Sequence, residues 1–338
     1  MKIKKLLLSF ALGSLLATGA HTAMAQDKGL ANPRSEAYWN TLKSKRVVFI
    51  PLAMGFDLTE GWAAVMKQQA KRLGYKFDIR DPNWSTEAGT RALSAAIAEK
   101  PDLIVLHNPD VQSYAKLIKQ AQEAGIKVLQ VNLESSVATD SYVGADWTEI
   151  GETAGRAIAE RCSKGKGIST KVAIDTGVPT AASDIFQLYG IYKVFAKYPE
   201  IQVVSQQATE YNADKARSIM DTVLKQHPDL CGSIGIWDNQ DVGTGSAIAQ
   251  AGKQKQVYMV TSGGGNKNGC DNVTKGLFSM YISYNVPLQG QGLNSEIARL
   301  LQSKEKAGAE KIPYFTPLTT ITAKEVNARN CWTLDDLK

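Results

Sequence analysis

Residues 46–81 read RVVFIPLAMGFDLTEGWAAVMKQQAKRLGYKFDIRD. Arg46–Ala53 is an apolar, β-branched run, and Tyr75–Arg80 is a second one. Between them Trp62, Val65, Met66 and Leu73 recur at helical spacing, Thr59 stands in an N-cap position, and Gly74 ends the period. Two strands that flank a single helix lie parallel, because a parallel pair needs a crossover of a dozen or more residues and a helix supplies it. This unit predicts an α/β fold.

The same alternation continues through DLIVLHN, KVLQVN, KVAIDTG, IQVVSQQA, GSIGIW, VYMVTSG and FSMYISY, with helical-period segments between them. These runs are apolar on both faces, as strands of a sheet covered on both sides must be. The rhythm lapses once, in the helix-poor segment Leu133–Asp146, and then restarts. That predicts two doubly wound parallel-sheet lobes joined near Gly144. After FSMYISY, PLQGQGLNSEIARLLQSKEKAG reads as one more helix and PYFTPLTTITA as extended chain.

Ahead of the fold, Met1–Lys5 carries three lysines, Leu6–Ala17 is apolar and Ala23-Met24-Ala25 has small residues where a signal peptidase reads. Residues 1–25 are therefore expected to be a cleaved export signal, and 26–45 a polar leader with a short helix around Ser35–Leu42. Subtracting the three leader lysines from the formal charge of +6 leaves +3, which carries no nucleic-acid footprint. The four cysteines, Cys162, Cys231, Cys270 and Cys331, match no zinc spacing and in an exported chain read as disulfides.

Enzyme motifs are weak. Asp175-Thr176-Gly177 is a single acid triplet where an aspartic protease needs two. Gly243-Thr244-Gly245 lacks the third glycine of a dinucleotide loop and is crowded by acids. His107 and His227 have no partner at metal-binding spacing, so no metal, cofactor or catalytic residue is expected. The strand tips carry more chemistry, and in open α/β sheets ligands bind at the carboxyl ends of strands. Aromatics stand beside Asp or Asn at Phe56-Asp57, Asn83-Trp84, Tyr211-Asn212, Trp237-Asp238 and Tyr284-Asn285, and His107 and Asn132 end two further strands. Aromatic faces pack on C–H surface and amides or carboxylates bond hydroxyls, which together suit a polyhydroxylated ligand.

Several blocks then match one family. KRLGYKFDIRD, LHNPD, AGIKVLQVN, YVGADWTEIGETAGRAIAE, HPDLCGSIGIWDNQDVGTGSAIAQAG and KGLFSMYISYNVPLQGQ resemble the periplasmic sugar-binding proteins of ABC transporters, the ribose- and galactose-binding type. The resemblance implies a type I periplasmic binding protein: lobes at 46–145 plus 286–318 and 146–285 plus 319–338, a three-segment hinge near Gly144, Asn285 and Thr319, and a ligand cleft between the lobes. It implies a periplasmic monomer that passes a carbohydrate or polyol to a membrane permease, or else presents it to a sensor kinase or chemoreceptor. A secreted enzyme on the same scaffold is the third reading. Expected ligand contacts are Phe56, Asp57, Trp84, His107, Asn132, Phe186, Tyr211, Trp237, Asp238, Gly263 and Asn285. The chain departs from the family at Asn132-Leu133, where Asp and Arg are usual, at Trp237, where Asn is usual, and at Ser262–Gly265, where a second Asp is usual. These departures point away from an ordinary pentose or hexose, and the glycine run offers backbone N–H groups to an anionic oxygen. In a second lobe of strand order 2-1-3-4-5, Cys162 and Cys231 lie beside neighbouring strands, which pairs Cys162 with Cys231 and Cys270 with Cys331.

Overall fold

The computed structural model describes residues 32–337, so the export signal expected at residues 1–25 lies outside it. The chain opens with α1 (Pro33–Leu42), capped by the Asn32 side chain. The first sheet then collects β1 (Arg46–Ile50), β2 (Lys76–Ile79), β3 (Leu103–Leu106), β4 (Lys127–Val131) and β5 (Ser141–Gly144), with α2 (Asp57–Leu73), α3 (Thr86–Glu99) and α4 (Ala115–Glu123) as crossovers. After α5 (Trp147–Cys162), the second sheet collects β6 (Lys171–Thr176), β7 (Gln202–Ala208), β8 (Gly232–Gly235), β9 (Tyr258–Gly263) and β10 (Met280–Ser283). Its crossovers are α6 (Ala182–Phe195), α7 (Ala213–Gln226), α8 (Asp238–Gln250) and α9 (Lys267–Thr274). Then α10 (Val286–Gln302) returns to the first sheet and packs on α2, β11 (Ile312–Phe315) adds to that sheet beside β5, and β12 (Thr319–Ile321) adds to the second beside β10.

The sheet orders are β11-β5-β4-β3-β1-β2 and β12-β10-β9-β8-β6-β7. Each contains the doubly wound 2-1-3-4-5 arrangement, parallel throughout except where β12 pairs antiparallel with β10. Central strands such as β3 and β4 are buried along their whole length, while the edge strands β2, β7 and β11 are the exposed ones. The two α/β lobes follow from this alternation of apolar runs and crossover helices.

Local details differ from the sequence reading. The helix α2 starts at Asp57, not after Thr59: Phe56 is the extended N-cap residue, and the Thr59 hydroxyl donates back to the Phe56 carbonyl (3.3 Å). Asp57 and Glu60 in the first turn suit the positive end of the helix dipole. Gly74 ends the helix as expected, left-handed at φ 77° and donating to Ala70 O. The segment Leu133–Asp146 holds one short strand, β5.

Three segments cross between the lobes, at Gly144–Trp147, Ser283–Val286 and Phe315–Thr319. Buried Thr316 ties all three: its N–H donates to Gly144 O (2.9 Å) and its hydroxyl reaches Tyr284 O (3.0 Å) and Gly144 O (3.2 Å). Disulfides join Cys162 to Cys231 (Cα separation 5.8 Å) and Cys270 to Cys331 (6.0 Å). The second holds the tail on α9. Beyond it, the Trp332 indole donates to Gly264 O (2.8 Å) and the turn Leu334–Leu337 packs against α2 of the first lobe, so the tail touches both lobes.

Candidate functional site

The carboxyl ends of both sheets meet at a cavity between the lobes. Its wall is mostly apolar: Leu52, Phe56, Leu58, Trp84 and Leu133 from the first lobe, and Tyr211, Ile236 and Trp237 from the second, with Trp147 and Tyr284 on the crossing segments. Polar side chains enter at His107, Asn132 and Ser183. No Lys or Arg is among these lining residues. The cavity measures about 40 Å³, room for a few waters, because aromatic rings fill the cleft.

Trp237 is the centre of that ring cluster. Its indole meets Phe56 at 5.8 Å and Tyr211 at 5.5 Å, both edge to face, and Trp84 at 6.2 Å, while Phe56 stacks on Trp84 at 5.3 Å. Such offset and edge contacts are the favoured geometries for aromatic pairs. Strained backbone aims several of these groups. Trp84 (φ 66°) and Tyr211 (φ 58°) are left-handed, which is a genuine outlier for bulky side chains, and Asn132 (φ 60°) shares that region, which asparagine tolerates. Strain of this kind persists only where the surroundings enforce it, and it gathers at binding sites. At Tyr211 the enforcement is visible: Gly177 leaves the space its ring occupies, since a β-carbon there would lie 1.9 Å from the ring.

A polar layer stands behind the rings. The Tyr211 hydroxyl donates to Asp184 Oδ2 (3.1 Å), and the Gly177 N–H and the Ser183 hydroxyl bond the same carboxyl (2.6 and 3.0 Å). Burial raises the Asp184 carboxyl to about 7, despite those donors. On the other side, the Trp62 indole donates to Gln289 Oε1 (3.0 Å), and Gln289 Nε2 donates to Asn132 Oδ1 (3.1 Å). The Asn132 carbonyl accepts from the Trp147 indole (2.7 Å) and the Tyr142 hydroxyl (2.9 Å). His107 is buried, at 2% exposure, and neither ring nitrogen has a partner. Burial pushes it down to about 3, so the imidazole is neutral.

Of the residues singled out by sequence, Phe56, Trp84, His107, Asn132, Tyr211 and Trp237 line this cavity. Asp57 and Asp238 line an adjoining polar vestibule of about 240 Å³, with Asn239, Asn266 and Asn268. There Asp57 accepts from Asn266 Nδ2 (2.8 Å) across the two lobes, and on another side the Val111 N–H donates to Thr180 O (3.1 Å). Asp238 is buried, accepts from the Tyr281 hydroxyl (2.8 Å), and is raised by burial to about 7. Gly263 makes room for it, as a β-carbon there would lie 2.5 Å from the Asp238 carboxyl. Asn285 caps α10 by accepting from the Leu288 N–H, and Phe186 packs half-buried against the core, so neither lines the cavity. Part of the glycine run is taken up structurally: the Gly265 N–H donates to the Tyr281 hydroxyl (2.7 Å) and Gly264 O accepts from Trp332. Trp147, Tyr284, Leu133 and Ser183 also line the cavity and are not among the expected ligand contacts. Asp146-Trp147 and Tyr284-Asn285 show the same pairing of an aromatic with Asp or Asn at a strand end, while Ser183 carries no such signal.

The periplasmic binding protein domain family matches residues 47–305. A ribose import binding protein of Bacillus subtilis (strain 168) is 23% identical over 71% of this chain and 76% of its own length. An ABC transporter solute binding protein from Agrobacterium vitis, crystallised with alpha-D-tagatopyranose, superposes with a TM-score of 0.73 at 23% identity, over 86% of this chain and 100% of that one. The fructose binding periplasmic domain of a hybrid two component system superposes with a TM-score of 0.74 at 19% identity, over 83% and 91%.

Proposed function

Because the chain belongs to the periplasmic binding protein domain family, we propose that it is a periplasmic receptor. It captures a small polyhydroxylated solute between two lobes and delivers it to an ABC permease. The observation that carries this reading is the ring cluster around Trp237, drawn from both lobes and backed by hydrogen-bonded Asn132 and Tyr211. Rings cover the C–H faces of a sugar or polyol and amides meet its hydroxyls. The B. subtilis and A. vitis proteins, by their names, handle ribose and a tagatopyranose. The lobes move as units of 46–145 plus 286–318 and 146–285 plus 319–338, hinged at the segments that Thr316 joins. A cavity of about 40 Å³ is too small for a sugar, so the lobes part to load it. The protein acts as a monomer and without turnover: the Ser183 hydroxyl is engaged by Asp184, and the unpartnered His107 activates no nucleophile. A sensor role on the same fold is the second reading, favoured by the likeness to a periplasmic domain of a two component system.

A thermal-shift screen over sugars and polyols tests the receptor. A ligand at about 100 times its Kd adds ~2.7 kcal/mol and raises the midpoint. If only non-carbohydrates raise it, the sugar class is wrong and the receptor reading stands. Trp237→Ala is expected to weaken the hit about 30-fold in calorimetry, as loss of a buried aromatic anchor does. Unchanged affinity would take Trp237 out of the site. Scattering that shows no compaction at saturation would sink the hinged mechanism.

A further inference from the structure

We propose that His107 reads the ligand: its neutral imidazole engages hydroxyls of an uncharged sugar or polyol and turns the receptor against acidic solutes. The inference rests on the receptor reading and narrows its ligand class. Among the described residues, six buried side-chain nitrogen or oxygen atoms lack a hydrogen-bond partner, and two of them are Nδ1 and Nε2 of His107. The others belong to Asn108, Asp175, Ser233 and Asn294, none of which lines the cavity. Leaving a buried polar group unpaired is destabilising. The His107 backbone N–H is satisfied by Ile50 O (3.0 Å), so the deficit lies in the ring alone. Packing does not explain it: the edge-to-face contact with Trp62 (5.1 Å) asks only for a flat ring, which an apolar residue would provide without two open nitrogens. Elsewhere on the wall, Asn132 Oδ1 accepts from Gln289 and the Ser183 hydroxyl donates to Asp184.

A neutral imidazole presents one N–H donor and one bare acceptor nitrogen. Hydroxyls donate and accept, so they match both. A carboxylate only accepts, which leaves the bare nitrogen unmet. It would also bring a buried charge into a wall without Lys or Arg, at high cost. The glycine run offers no relief, because none of Gly263, Gly264 and Gly265 lines the cavity.

The test uses the purified protein with His107→Leu and His107→Gln, scanned with D-ribose, D-allose, ribitol and D-glucitol, and with D-ribonate and D-gluconate as acidic counterparts. At least one neutral probe is expected to raise the wild-type midpoint and its acidic counterpart is not. Without ligand, His107→Leu is expected to melt above wild type, because an unsatisfied buried polar group is gone. Its affinity for the neutral probe is expected to fall about tenfold or more, while His107→Gln, which keeps a donor and an acceptor, stays within about fivefold. A higher midpoint with lost binding is a signature that a packing histidine does not give. Wild-type affinity in His107→Leu, or an acid that binds as tightly as its neutral counterpart, overturns the inference and leaves the receptor intact. If no neutral probe shifts wild type, the inference falls, and the receptor reading is decided by the wider screen.

Discussion

Removing both disulfides is expected to lower the thermal midpoint by about 15 °C. The bridges span 69 and 61 residues. In the chain-entropy picture each contributes ~4 kcal/mol through the unfolded chain. The two loops, 162–231 and 270–331, do not overlap, so their effects add to ~8 kcal/mol. For a chain of this size that is about 2 °C per kcal/mol. The bridges differ in what they hold. Cys162–Cys231 ties the end of α5 to the start of β8 inside the second lobe, and Cys162 is wholly buried. Cys270–Cys331 holds the tail, whose Trp332 and Leu337 lie against Gly61 of α2. Cys270→Ala with Cys331→Ala is therefore expected to expose the tail to limited proteolysis while the lobes stay folded. Cys162→Ala with Cys231→Ala is expected to lower the midpoint and leave the tail protected. A quadruple variant melting within ~2 °C of wild type, or equal tail cleavage in the two pairs, would sink this account.

The Cys162–Cys231 pairing was legible from strand order, which the alternation of runs and helices carries, and Cys270–Cys331 followed as the remaining pair. Short elements without a clear period were not. Ser141–Gly144 is four residues inside a helix-poor segment and becomes a strand between β4 and β11, and Ile312–Phe315 contains Pro313, reads as extended chain and becomes a strand by pairing with β5. Proline is tolerated there because β11 is an edge strand. The cleft aromatics were legible for a related reason: strand ends fix where Phe56, Trp84, Tyr211 and Trp237 must lie. A strand end does not say which way a side chain turns. Asn285 folds back to cap its own helix, and Asp238 turns under β9 toward Tyr281, whereas Tyr284 faces the cavity. These outcomes hang on partners more than 40 residues away or on a local left-handed backbone, neither of which leaves a periodic trace.

The second large effect concerns pH. Stability is expected to be higher at pH 5 than at pH 7.5, the reverse of a protein held by ion pairs. Asp175, Asp184 and Asp238 are each raised by burial to about 7, and burial raises Asp241 further. Their partners are hydroxyls and amides, not cations: Thr244 on Asp175, Thr261 and Gln240 on Asp241, Tyr281 on Asp238. In the unfolded chain each titrates near 4. Between pH 4 and 7 the folded state thus holds protons that the unfolded state has released. The stabilisation is fully present below about pH 4 and is lost as pH rises through about 7. A shift of about three units corresponds to roughly 4 kcal/mol per carboxyl as a ceiling. His107 works the other way, since burial lowers it to about 3 and the unfolded chain protonates it first as pH falls. One imidazole against four carboxyls leaves the acid side favoured. The lowered acids, Glu99 beside Arg80 and Arg46 and Glu152 beside Lys193, are exposed and weaken the fold only at lower pH. The midpoint is therefore expected to fall by about 5 °C or more from pH 5 to pH 7.5. Asp175→Asn mimics the protonated carboxyl and keeps an acceptor for Thr244, so it is expected to flatten part of that slope without loss at pH 7.5. A midpoint that climbs from pH 5 to 7.5, or an Asp175→Asn slope equal to wild type, would show that these carboxyls are ionised in the folded protein.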